Sequence, residues 1–127
     1  MLRSLEQERA RYAWECIQEV KKESEELQKN YNSYVKKAPT LIQTNGLPNA
    51  LAFYYNKWKK GEKAYELLYK RIANWNEVKR MSGDKEFLLW VVEDASSIDV
   101  FQVTKEVIAL LSWIKRFAEA ELKGEET

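Results

Sequence analysis

The chain has no histidine, a single cysteine (Cys16), two prolines and four glycines in 127 residues. Without histidine it lacks the side chain that most often acts as general base and as metal ligand near neutral pH. One cysteine excludes an internal disulfide and a cysteine-rich zinc site. Gly46, Gly61 and Gly83 stand too far apart to form a phosphate-cradling loop. No apolar run approaches the roughly 18 residues of a membrane span, and Met1–Ala10 has no apolar signal-peptide core. These absences predict a soluble protein of a reducing compartment, with no metal, cofactor, small-molecule substrate or membrane partner.

What is present is apolar, charged and aromatic: 45%, 32% and 13% of the residues. At this length one compact domain over residues 1–127 is expected, with core enough to fold unaided. The net charge of +1 hides an uneven distribution. Residues 1–35 carry −1, residues 36–85 carry +7, and residues 86–127 carry −5. A basic middle of that size suits a polyanion, although lysines on the solvated backs of helices have the same composition.

Hydrophobic spacing reads as helix throughout. Ala10, Ala13, Ile17, Val20, Ser24, Leu27, Tyr31 and Tyr34 recur at alternating steps of three and four, which predicts a long N-terminal helix over about residues 3–35. Pro39 is expected to open a short helix over 39–45, since its missing N–H costs nothing in a first turn. Asn45-Gly46 then turns a corner into a helix over 48–60, whose stripe is Leu47, Leu51, Tyr54 and Trp58. Gly61 closes it. A helix over 62–81 carries Tyr65, Leu68, Ile72, Trp75 and Val78. Asp84 is the expected N-cap of a deeply buried helix over 85–95, and Ser96-Ser97 caps a last helix over 98–122. The fold class is therefore all-α: a single-domain bundle of about five or six helices. No repeat of solenoid period and no low-complexity linker divides the chain.

Catalytic constellations are scarce. Helical di-metal centres use Glu-x-x-His pairs, which this composition forbids. Glu15, Glu19 and Glu23 share a polar face with lysines and read as surface charge. Cys16 has no imidazole to activate it and reads as a small packed hydrophobe. Ser96 and Ser97 have the context of a cap, not of a nucleophile. An enzyme built on carboxylates alone would need a buried Glu in a cleft, and the sequence offers no sign of one.

The basic stretch carries more. Lys36-Lys37, Lys57, Lys59-Lys60, Lys63, Lys70-Arg71 and Lys79-Arg80 alternate with Tyr31, Tyr34, Tyr54, Tyr55, Trp58, Tyr65, Tyr69 and Trp75. Lysines beside aromatic platforms hold single-stranded nucleic acid through phosphate charge and base stacking. Trp58, Trp75 and Tyr65 fall on apolar stripes and are expected in the core; Tyr55 and Tyr69 are the better candidates for exposure. A total so near neutral predicts a modest binder that works alongside neighbours.

Four segments carry a family resemblance: ARYAWECI (10–17), APTLIQTNGLPNALAFYY (38–55), ELLYKRIANW (66–75) and LLSWIKRFAEA (110–120). Together, and in this order, they resemble the small subunit of the type III-B CRISPR effector, the Cmr complex. The resemblance implies a cytoplasmic, all-helical, non-catalytic structural subunit serving antiviral defence. It implies partners among the backbone and large subunits, and copies of itself stacked in a minor filament. That filament helps to line the channel where target RNA pairs with the crRNA, with contacts expected to the sugar-phosphate backbone because base pairing reads the sequence. The matching segments place Arg11, Lys115 and Arg116 among the candidate RNA-binding residues. Lys36 and Lys37 adjoin a matching segment, and Lys57 lies in the lysine-rich loop beyond it. A helical adaptor that binds only proteins is the alternative reading.

Overall fold

A computed structural model describes residues 3–124. Helix α1 (Leu5–Val20) starts at a reciprocal cap: the Ser4 hydroxyl accepts from the Gln7 N–H at 3.1 Å, and the Ser4 N–H donates to the Gln7 side chain at 2.9 Å. Helix α2 (Glu25–Asn45) starts at Ser24, whose hydroxyl accepts from the Leu27 N–H at 3.1 Å. The three-four rhythm over 3–35 is thus shared by two helices. Ser24 sits on the rhythm, but its hydroxyl caps the start of the second helix after α1 has ended at Val20. The Gln28 amide donates to the Lys21 and Glu23 carbonyls, both at 3.1 Å, and closes the reversal. Ala13, Ile17 and Val20 of α1 and Tyr31, Val35, Ala38 and Ile42 of α2 all face one core.

Pro39 lies inside α2 and opens no new helix. Proline removes one helical hydrogen bond, at a cost of about 3 kcal/mol. Here the stripe Tyr31, Val35, Ala38 and Ile42 passes it without a break, and burying four such side chains outweighs that loss. Gly46 makes the expected corner. Its φ of 84° and ψ of 154° belong to a region that essentially only glycine occupies, and its N–H caps the Ile42 carbonyl at 2.8 Å. Helix α3 (Leu47–Lys59) follows, with Pro48 in its first turn.

The stretch 62–81 is likewise two helices, α4 (Lys63–Asn74) and α5 (Asn76–Ser82). Trp75 separates them with extended backbone (φ −64°, ψ 133°). That break sends its indole into the core, where the N–H donates to Glu106 at 2.9 Å. Asp84 does not cap a helix. Glu86 occupies the N-cap of the single turn α6 (Phe87–Leu89), which passes into a π-helical turn, Trp90–Asp94. This segment is not the most deeply buried one. Phe87, Trp90 and Val91 are buried, but Leu89 and Val92 are 48% and 64% exposed. Helix α7 (Ser97–Glu121) begins at the expected Ser96, in a capping box with Asp99.

Helices α1 and α7 pack side by side, parallel in direction, and α2 runs back along α7. Helices α3 and α4 form a corner against α2. The all-α, single-domain reading of the sequence therefore holds. Tyr69 is a correction to it: the ring is buried, because Tyr65 and Tyr69 share a helix face. Its O–H donates to Glu86 at 2.7 Å and its oxygen accepts the Leu88 N–H at 3.0 Å.

Candidate nucleic-acid interface

The cations of the sequence reading fall on three surfaces. Arg11 is exposed on α1 and pairs with Glu15 at 3.4 Å. Lys115 and Arg116 lie on α7, the helix against which α1 packs. The ARYAW segment and the terminal-helix segment, far apart in sequence, are therefore neighbours. Trp14, 42% exposed, meets the Phe117 ring edge-on at 5.3 Å. Trp113 lies 5.8 Å from Phe117 and donates its indole N–H to Glu6 at 2.9 Å. Adjacent helical residues point about 100° apart, so Arg116, which is exposed, and Lys115, which is half-buried, leave α7 on different faces.

The second surface is the outer face of α2. Lys36 and Lys37 are exposed and line a shallow depression with Thr40, Leu41, Thr44 and Asn45. The third is the end of α3. Lys57 pairs with Glu62 at 3.7 Å and lies 5.7 Å from the centre of the Phe53 ring. The Lys59 ammonium sits 4.1 Å from the centre of the Trp58 ring. The structure thus unites the Arg11 and Arg116 segments and keeps Lys36-Lys37 and Lys57 on separate helices.

Much of the basic middle is already neutralised. Lys63 pairs with Glu23 at 2.9 Å, Lys70 with Glu66 at 2.6 Å, and Lys85 with Asp94 and Glu93 at 3.1 and 3.2 Å. Arg71 pairs with Glu19, and Arg80 with Glu77 at 3.3 Å. Glu19 of α1 and Glu23 of the turn that follows it therefore supply two of the counter-charges. Among the described residues Lys36, Lys37, Lys59, Lys60 and Lys79 have no carboxylate within 4.0 Å, so their charge is free for a polyanion.

The described residues hold no group of three or more metal-ligating side chains, and no described helix is long and apolar enough to cross a membrane. Cys16 is buried, and burial pushes its thiol up to about 12, with the Arg71 charge opposing the rise. It is a neutral packing group, as its sequence context predicts. Trp14 is the residue that spacing alone passed over. Its signal is an aromatic side chain one position off the apolar stripe, beside Ala13.

The family model of the CRISPR-associated Cmr5 proteins (Cas_Cmr5) matches residues 5–121. The chain belongs to the Cmr5 family. All four resembling segments lie inside the match, which bears out the resemblance to the small Cmr subunit. The CRISPR system Cmr subunit Cmr5 of Thermus thermophilus is 27% identical over 119 residues, covering 94% of this chain and 96% of the relative. The crystal structure of a CRISPR-associated Cmr5 family protein, also from Thermus thermophilus, superposes with a TM-score of 0.76. That chain is 28% identical and is covered to 98%, against 94% of this one.

Proposed function

We propose that this Cmr5-family chain is a non-catalytic structural subunit of a cytoplasmic, crRNA-guided type III-B Cmr ribonucleoprotein in antiviral defence. It stacks with copies of itself into the minor filament, beside the backbone and large subunits, and helps to line the channel for target RNA. The observation that carries this reading is the family match over residues 5–121. The free, exposed cations Lys36 and Lys37 on α2, and the exposed Arg116 on α7, supply groups suited to sugar-phosphate contact. Sequence reading then falls to the guide, as in other RNA-guided effectors.

The test is salt-dependent crosslinking of target RNA to the assembled complex, with Lys36, Lys37, Lys115 and Arg116 changed to Gln in turn. Reduced crosslinking at one or more positions is expected. Unchanged crosslinking at all four overturns the RNA role. It would leave the protein-only adaptor, a reading favoured by the exposed apolar side chains Leu89, Val92, Ile98 and Phe101.

A further inference from the structure

Between α4, α5 and the turn that leads into α6, the surface opens into a cleft of about 370 Å³. That volume suits a small ligand. Trp58 and Tyr69 form an aromatic wall, Lys70 and Lys79 supply cations, and Asp84 and Glu86 supply carboxylates.

Of the cations that line the cleft, Lys70 pairs with Glu66 and Lys85 with Asp94 and Glu93, which leaves Lys79 free among the described residues. The ammonium groups of Lys59 and Lys70 lie 4.1 and 5.0 Å from the centre of the Trp58 ring. Lys79 is exposed and has no carboxylate within 4.0 Å among the described residues. The carboxylates argue against a bare phosphate, which they repel. They suit a ligand that also offers N–H donors. Glu86 accepts the Tyr69 O–H through Oε1 at 2.7 Å, and its second oxygen has no donor among the described residues.

We infer that this cleft binds a nucleotide unit, with the base against the wall of Trp58 and Tyr69 and the phosphate at Lys79, the lining cation that no carboxylate holds among the described residues. Base–aromatic stacking contributes about 1–3 kcal/mol and tolerates any sequence. The carboxylates of Asp84 and Glu86 accept amino and imino N–H groups from the base edge. The unit comes either from a single RNA strand, which rests on the channel reading above, or from a free mononucleotide.

The experiment follows the indole N–H resonance of Trp58 in the full chain, assigned with Trp58→Phe. The probes are adenosine 5′-monophosphate, a six-nucleotide single-stranded RNA and inorganic phosphate. The mononucleotide or the RNA shifts the signal, and phosphate alone does not. A shift with RNA only identifies a strand as the source; equal affinities identify a free nucleotide. Lys79→Gln weakens binding several-fold and lowers the slope of log affinity against log salt for RNA by about 0.7. Lys36→Gln with Lys37→Gln, outside the cleft, leaves the Trp58 shift unchanged. Silence with both nucleotide probes, or an equal shift with phosphate, overturns the inference. If Trp58 stays silent while Lys36 and Lys37 still govern crosslinking in the complex, the cleft fails and the channel role stands. If Trp58 responds while crosslinking is insensitive to all four cations, the channel role fails and the cleft stands.

Discussion

Arg9 and Glu106, 97 positions apart, share a two-pronged ion pair: Nε and Nη2 of the arginine each donate to a carboxylate oxygen at 2.7 Å. Trp75 donates its indole N–H to the same carboxylate at 2.9 Å. One carboxylate thus ties α1, α7 and the α4–α5 break together, with the Arg9 and Glu106 side chains only 15% and 14% exposed. Glu106→Gln keeps an acceptor for Trp75 but removes the two-pronged counter-charge of Arg9 and leaves it only the exposed Glu6 at 2.9 Å. A loss of about 2 kcal/mol is expected in denaturant unfolding. Arg9→Met with Glu106→Gln should cost less than the two single changes summed, because the second change no longer strands a charge. Strict additivity would refute the coupling.

Stability should be level between about pH 6 and 8, because no side chain has an ordinary pKa there in a chain without histidine. On the acid side, burial works to raise the Glu106 carboxyl, but Arg9 and Trp75 hold it below the usual range. Its contribution is complete above about pH 4.3 and is lost as pH falls through its folded value. On the alkaline side, burial pushes Cys16 and Tyr65 up to about 12. Their contributions are complete below ordinary values of roughly 8.5 and 10 and are lost as pH rises through the folded ones. Melting midpoints from pH 3 to 11 give a plateau with two falling flanks. A step near pH 6.5 contradicts this account.

Gly46→Ala should destabilise the fold by about 1–3 kcal/mol. Space is not the cause, since an added Cβ would come no nearer than 3.8 Å to the Pro48 ring. The cost is backbone strain at φ 84°. If Gly46→Ala melts with the parent chain, the corner has another conformation.

Two tyrosines separate burial from bonding. Tyr31 is fully buried and its hydroxyl has no hydrogen-bond partner, whereas the Tyr12 hydroxyl donates to the Arg71 carbonyl at 2.6 Å. Tyr31→Phe removes an unpaired polar group and should hold or raise stability. Tyr12→Phe should cost about 1 kcal/mol. Paired thermal melts check the order, and a larger loss for Tyr31→Phe reverses the argument.

Cys16 should resist a thiol-reactive chromogen in the native chain and react at once in denaturant, since only the thiolate attacks. Burial excludes the reagent and disfavours that thiolate. Rapid labelling of the native protein would contradict both.

The helices were legible where burial repeats at three and four: Ala13, Ile17, Val20 and Tyr31 are all core, although the stripe of α2 then continues through Val35 and not through the half-buried Tyr34. Their ends were less so, because one residue type serves two purposes. Ser24 fits the seam as a small residue and starts a second helix as its cap. Trp75 continues the stripe of its helix and yet interrupts the backbone, a choice decided by Glu106 on α7. Pro39 resembles a helix start in sequence and is carried through by packing on both sides. Among the candidate cations, residue type and free charge were visible at Lys36 and Lys37. That Lys57 meets Glu62 and Arg71 meets Glu19 depends on which helices become neighbours, which periodicity does not encode.

The pairing of α1 with α7 also sets a schedule. On the ribosome Arg9 waits for a partner 97 positions downstream, a delay on the order of 5–20 s at ordinary elongation rates. Until then the stripe of Ala13, Ile17 and Val20 lies open. Closure of α1 against α7 thus waits for the α7 segment, and a chain stalled before it presents that stripe to chaperones or to its neighbours on the same message.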